Sequence, residues 1–177
     1  MSTLFLDRDG VINVRTPGDY VKTPGEFQPT EGLGEAMRLL SGKFGRILVF
    51  TNQAGIGKGL MTAFDLHAVH HKMHTFVEAA GGRIDRAYHC PHRSEEGCTC
   101  RKPATGMAWK ALADFPEIDL EDAWMVGDSI SDMEFAQKLG IRSVLIRGKL
   151  EELAALSKMK TDHQFDSLLE FARWITC

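Results

Sequence analysis

Thr3-Leu4-Phe5-Leu6-Asp7-Arg8-Asp9-Gly10 is the stretch on which the reading of this chain turns. Four apolar or small residues, Thr3 to Leu6, run straight into two carboxylates and a glycine. A strand that is apolar along its whole length, rather than alternating, suits burial on both faces, as in a parallel sheet covered by helices. Carboxylates at the end of such a strand repel, by ~4 kcal/mol for like charges ~4 Å apart at an effective dielectric of 20. Something positive has to collect there.

Four further runs read as strands: Arg46 to Phe50, Ile84 to His89, Ala123 to Val126 and Ser143 to Ile146. Each is short and rich in apolar residues, with Gly, Asp or Asn close by. Gly32 to Leu40, Ala63 to Ala80, Met107 to Ala113 and Asp132 to Leu139 read as helices between them. Gly42, Gly81 and Gly140 stand where left-handed C-terminal caps are favoured. The β-α alternation predicts an α/β fold with a mostly parallel sheet and helices on both faces. Ligands then bind at the carboxyl ends of the strands. Two irregular segments, Asn13 to Thr30 and Cys90 to Thr105, are where long functional loops are expected, and Gly55 to Gly59 is expected as a flexible loop beside the ligand.

The chain has 177 residues, 44% hydrophobic and 25% charged, with a net charge of -3 and a pI near 6.2. That length suffices for one domain, since ~150 residues bury about 70% of their unfolded surface; the expectation is a single domain over 1–177. There is no basic surplus for nucleic acid. No run approaches the ~20 apolar residues of a spanning helix, and Asp7 comes too early for a signal peptide. A cytoplasmic monomer with reduced thiols, holding neither nucleic acid nor membrane, is expected.

Asp7, Thr51 and Asp128 each follow an apolar run, so a parallel sheet projects all three from one edge. With Asp9, and with Asp132 as a further candidate, they would crowd negative charge into one place. Oxygen-only ligands of this kind select a hard cation, Mg²⁺. Gly55-Ile56-Gly57-Lys58-Gly59 does not make a nucleotide loop: the Walker A pattern needs Gly at 52 and Ser or Thr at 59, where Asn52 and Gly59 stand.

A second cluster lies within eleven residues: Cys90-Pro91-His92, then Cys98-Thr99-Cys100. Three thiolates and one imidazole complete a closed tetrahedral shell for a structural zinc ion; reduced, redox-active thiols are the rival reading. The loop 90–100 ends immediately before Arg101-Lys102-Pro103, so a metal there would clamp the base of Lys102. His67, His70, His71 and His74 border an apolar stripe of Leu66, Val69, Met73, Phe76 and Val77, and are expected to form a partly solvated helix face.

The ordered set Asp7-x-Asp9-Gly10, Thr51, Lys102 and Gly127-Asp128-x-x-x-Asp132 resembles the four motifs of the haloacid dehalogenase superfamily of phosphohydrolases, over residues 3 to about 147. The resemblance implies a Rossmann-like three-layer sandwich. It makes Asp7 the nucleophile that forms an aspartyl-phosphate and Asp9 the acid and base. Thr51 and Asn52 would bind the phosphoryl oxygens, with Gln53 beside them, and Lys102 would neutralise charge. Asp7, Asp128 and the Asp9 carbonyl would hold Mg²⁺.

The Cys-x-His…Cys-x-Cys insert followed by Arg-Lys-Pro is similar to the branch holding heptose 1,7-bisphosphate phosphatases and histidinol-phosphate phosphatases. In that pattern His92, not His89, is the zinc ligand. The branch lacks a large cap domain, and no insertion here exceeds about twenty residues. A small phosphorylated metabolite is the expected substrate: a sugar bisphosphate gripped through Arg101 is favoured, with histidinol phosphate as the alternative. A phosphate-binding protein without turnover is the non-enzymatic alternative.

Overall fold

A computed structural model of the protein describes residues 2–177, Leu150 by its backbone alone. The leading apolar run forms β1 (Thr3–Leu6), buried along its whole length. After it come α1 (Leu33–Lys43), β2 (Arg46–Asn52), α2 (Ala54–Gly57), α3 (Ala63–Ala79), β3 (Arg86–Cys90), α4 (Gly106–Asp114), β4 (Ala123–Gly127), α5 (Ile130–Leu139), β5 (Arg142–Ile146), α6 (Leu153–Leu156), β6 (His163–Phe165) and α7 (Leu168–Thr176).

The strands lie in the order β3-β2-β1-β4-β5-β6, all pairs parallel. This is the doubly wound arrangement: the chain lays strands to one side of β1, then returns to lay the rest on the other, leaving a crevice beyond β1 and β4. Alternation along each strand feeds two cores. Leu4, Leu6, Ile47 and Val49 pack with α1, α3 and α7 on one face. Phe5, Leu48, Phe50 and Met125 pack with α4 and α5 on the other. The result is the three-layer sandwich expected, with no cap domain among the described residues. No helix among the described residues is long and apolar enough to cross a membrane.

The differences from the sequence reading have local causes. α1 runs through Gly42 to Lys43, because Phe44, 2% exposed, turns into the core and ends the helix there with its N–H on Leu40 O. Gly42 is therefore no cap, whereas Gly81 and Gly140 do adopt left-handed φ. β3 starts at Arg86 rather than Ile84: the Asp85 carboxylate accepts the Ile47 N–H at 2.6 Å. The supposed loop at 55–59 begins as the short helix α2. β6 and α7 were not read from the sequence at all. The strand is three residues long, but Leu168, Phe171 and Ala172 mark an apolar helix face that the spacing did offer.

Candidate active site

Asp7 extends the β1 ladder, its N–H donating to Val126 O at 2.9 Å, and so stands beside the end of β4. Asp128 follows the last residue of β4. Both are buried, at 7% and 3% exposure. Gly10 makes their approach possible: its φ is +94°, and a Cβ there would collide with the Asp128 carboxylate. Thr51 arrives on β2, the other neighbour of β1.

Lys102 crosses the crevice from the opposite side. Its ammonium donates to Asp7 Oδ1 at 2.7 Å and to Asp132 Oδ1 at 2.6 Å. Asp132, fully buried, uses its other oxygen at the start of α5, accepting from Ser129 Oγ at 2.6 Å and from the Ser129 and Asp128 amides at 3.1 and 3.2 Å. A carboxylate suits a helix N-terminus, where amides are unpaired and the dipole is positive. Asp132 thus ties Lys102 to α5. Lys102 is held at its backbone too: its N–H donates to Asn52 Oδ1, and its carbonyl accepts from Asn52 Nδ2, each at 3.0 Å.

Asp9 is enclosed by donors. Arg8 Nη2 reaches both its oxygens, at 2.9 and 3.0 Å, Asn13 Nδ2 reaches Oδ1 at 3.0 Å, and Gln53 Nε2 reaches Oδ2 at 2.8 Å. Gln53 is fully buried and also donates to Thr51 Oγ1 at 2.8 Å. Gln53 therefore sits behind Asp9 and Thr51 rather than in the cavity wall, and the Asn52 amide gives one of its two N–H groups to the Lys102 carbonyl. Thr51, Asn52, Arg101 and Lys102 do line the cavity, of about 320 Å³, with Asp7 and Asp9. Lys58, Arg15 and Lys149 line it as well, giving it a cationic rim.

The charges do not balance. Lys102 serves Asp7 and Asp132, Arg8 serves Asp9, and Arg15 serves Asp128 at 2.8 Å: three cations against four carboxylates. Burial first, then the charges of Asp132, Asp128 and Asp9 beyond what Lys102 offsets, push Asp7 up to about 8. Burial and Asp132 raise Asp128 to about 6 against the pull of Arg15. Asp9 goes the other way: burial would raise it, but the Arg8 guanidinium and the bonds from Asn13, Arg8 and Gln53 hold it below the usual carboxylate range. Oxygens of Asp7, Asp128 and Asp132 lie within 4.8 Å of one another. An excess of negative charge on converging oxygens is what a hard divalent cation fits.

The loop between β3 and α4 brings Cys90, His92, Cys98 and Cys100 together. Cys100 Sγ is 3.2 Å from Cys90 Sγ, 3.6 Å from Cys98 Sγ and 3.2 Å from His92 Nδ1; Cys90 Sγ is 3.5 Å from Cys98 Sγ. These separations are far beyond a disulfide's ~2.05 Å. They are close to the edges of a tetrahedron around zinc, about 3.8 Å for S to S with Zn–S bonds of ~2.3 Å. Burial opposes ionisation of Cys98, yet the backbone amides of Arg101 and Cys100 lower it to about 7. The donor set fits zinc.

Three residues escaped the sequence reading. Arg8 was visible only as the spacer between two aspartates, and Arg15 lay in an irregular segment with no motif. His70, expected on a partly solvated face, is instead 8% exposed, with Nε2 3.4 Å from Arg8 Nη1. His67 and His71 are exposed, as expected.

A family model for HAD-hydrolase-like proteins matches residues 99–171. The chain is 40% identical over 174 residues to the D-glycero-β-D-manno-heptose-1,7-bisphosphate 7-phosphatase of Pseudomonas putida, covering 98% of each. It is 38% identical over 174 residues to the α-anomer-named counterpart of Mycobacterium tuberculosis, covering 96% of this chain and 88% of that protein. A crystal structure of D,D-heptose 1,7-bisphosphate phosphatase from B. bronchiseptica, complexed with magnesium and phosphate, superposes with a TM-score of 0.89 at 31% identity, covering 99% of this chain and 98% of that one. With sequence and backbone alike from end to end, the chain belongs to the D-glycero-D-manno-heptose-1,7-bisphosphate 7-phosphatase family of HAD-like hydrolases.

Proposed function

We propose that the protein removes the 7-phosphate of D-glycero-D-manno-heptose 1,7-bisphosphate, through a phosphoryl group carried on Asp7. Asp7 attacks phosphorus, forming a P–O bond as the bond to the sugar C7 oxygen breaks. Asp9 gives its proton to that departing oxygen, then takes one from the water that cleaves the aspartyl-phosphate. The low pKa of Asp9 at rest suits the second step directly; the approach of a phosphate dianion favours the protonated form that the first requires. Thr51 directs its hydroxyl at the phosphoryl oxygens, since its Oγ1 already accepts from Gln53. Lys102, steadied by Asp132 and Asn52, neutralises charge on nucleophile and phosphate. Gln53 and Asn13 keep Asp9 aimed. Asp7, Asp128 and the Asp9 carbonyl would hold Mg²⁺, whose charge draws electron density from the phosphoryl oxygens. Cys90, His92, Cys98 and Cys100 would hold a structural Zn²⁺, fixing the loop that carries Arg101 and Lys102.

The observation that carries the choice of substrate is the cationic rim of Lys58, Arg101, Arg15 and Lys149 around the cavity. A bisphosphate places its second phosphate there, where Arg101 grips it in bidentate fashion. Histidinol phosphate would bring an ammonium to the same place and be repelled. With Mg²⁺, the purified protein should release one equivalent of phosphate from the heptose bisphosphate and leave the 1-phosphate. Asp7→Asn should retain less than about one per cent of that activity, because it removes the attacking charge and keeps the shape. Preference for histidinol phosphate would overturn the substrate; an active Asp7→Asn variant would overturn the nucleophile.

A further inference from the structure

Arg8 is an arginine with 0% side-chain exposure one residue from the nucleophile, and it does not line the cavity. A guanidinium taken wholly out of water needs partners for its five donors. Asp9 supplies two oxygens. His70, on α3, supplies Nε2 at 3.4 Å. Arginine only donates, so Nε2 must carry the lone pair and the ring proton must sit on Nδ1. His89, His74 and Asp9 are the other ionisable groups facing this imidazole. Burial, then the charge of Arg8, keeps it neutral, lowering it to about 3.

We propose that His70 is a positioning residue for the acid/base step: by accepting an Arg8 N–H from behind the site, it fixes the guanidinium that in turn holds both oxygens of Asp9. The chain of contact is His70 Nε2, Arg8, Asp9, and only the last touches substrate. Without the acceptor, Arg8 keeps a buried donor unpaired and turns to satisfy it, and the Asp9 carboxylate turns with it. Displacements of ~1 Å at a reacting group can cost ~10²-fold in rate. The inference rests on Asp9 being the acid and base of the proposed reaction.

Leaving-group dependence separates this role from packing, since an alkoxide needs a proton and p-nitrophenolate hardly does. His70→Leu keeps an apolar filling and loses the acceptor; it should lower kcat/KM, which reports only the steps up to departure of the leaving group, by about tenfold on an alkyl phosphate while p-nitrophenyl phosphate stays within about threefold. His70→Gln, whose carbonyl accepts from Arg8, should return the alkyl ester to within about threefold of wild type. Asp9→Asn, measured alongside, should discriminate between the esters even more strongly. If Asp9→Asn discriminates and His70→Leu slows both esters equally, or neither, the positioning role falls alone. If Asp9→Asn lowers kcat/KM equally for both esters, the acid role falls and takes this inference with it. Wild-type protein gives an independent reading: ¹⁵N spectra of the His70 ring should show the neutral Nδ1–H form at pH 6, and an Nε2–H form would overturn the proposal.

Discussion

Each residue at the crevice works by where its charge is compensated. Arg101 stands apart, because it is half-buried at the cavity rim and donates to the His92 carbonyl at 3.4 Å, not to any carboxylate of the crevice. Arg101→Ala should therefore raise KM for the heptose bisphosphate by about tenfold or more and change turnover of p-nitrophenyl phosphate little, as loss of a charge-assisted contact to a second phosphate would. Equal losses on the two substrates in steady-state assays would place Arg101 in the reacting centre. His70 makes a different prediction, one of stability. Its folded pKa of about 3 lies below the unfolded value of about 6.5. Between those values the unfolded chain binds a proton that the folded one refuses. This contribution is thus complete above pH 6.5 and is lost as pH falls through that window. A His70→Gln variant cannot titrate there. Its unfolding free energy, compared with wild type from pH 7 to 4.5, should gain steadily on the acid side, by at most about 1.4 kcal/mol per pH unit. A constant difference would show that the imidazole titrates freely.

At the scale of elements, the site is a junction of three clamps on one lysine. α5 contributes Asp132, β2 contributes Asn52, and the loop from β3 to α4 contributes the cysteine cluster that ends two residues before Lys102. Gly127 lets α5 come this near: a Cβ there would run into the Asp132 carboxylate. With the proposed zinc bound, the cysteine loop would be the clamp that depends on a ligand. Cys98→Ser replaces a soft thiolate by a poor zinc ligand. Elemental analysis should find the zinc content sharply reduced, and kcat/KM for the bisphosphate should fall by about tenfold or more as Arg101 and Lys102 lose their fixed base. Brief EDTA treatment followed by Mg²⁺ alone should restore wild-type activity, since magnesium is exchanged and zinc retained. A zinc-free preparation with full activity would refute the clamp.

Across the whole molecule, stability and chemistry are concentrated at different places. The cysteine loop hangs from β3 at one edge of the sheet, and β6 with α7 closes the other. There Trp124, His163, Phe165, Phe171 and Trp174 pack ring against ring, with centroids 4.5 to 6.4 Å apart. Phe171 is fully buried between the sheet and α1. Phe171→Ala should cost ~3–5 kcal/mol, a fall in melting temperature on the order of 10 °C for a chain of this size. KM for the bisphosphate should stay at the wild-type value in the folded fraction. A changed KM would mean that the aromatic edge shapes the cavity as well as holding the fold.

The sequence alone determined the class of fold and most of the residues that the structure gathers at the crevice. Continuous apolar strands can be buried only between two layers, and in a parallel sheet each strand's last residue comes out at the same edge; Asp7, Thr51 and Asp128 follow from that rule. Cys90, His92, Cys98 and Cys100 were legible for another reason: their partners are near in sequence, so spacing alone carries the geometry. Tertiary structure decided whatever depends on which distant side chain answers a charge. Asp132 is bonded to Lys102, thirty residues away. Asn52 grips the Lys102 backbone across fifty, and Arg15 meets Asp128 across 113. His70 turns from a bordering residue on a helix into the buried partner of Arg8, sixty-two residues before it. No local periodicity encodes such pairs. They are settled only when packing removes water from both groups and leaves each the other as its available partner.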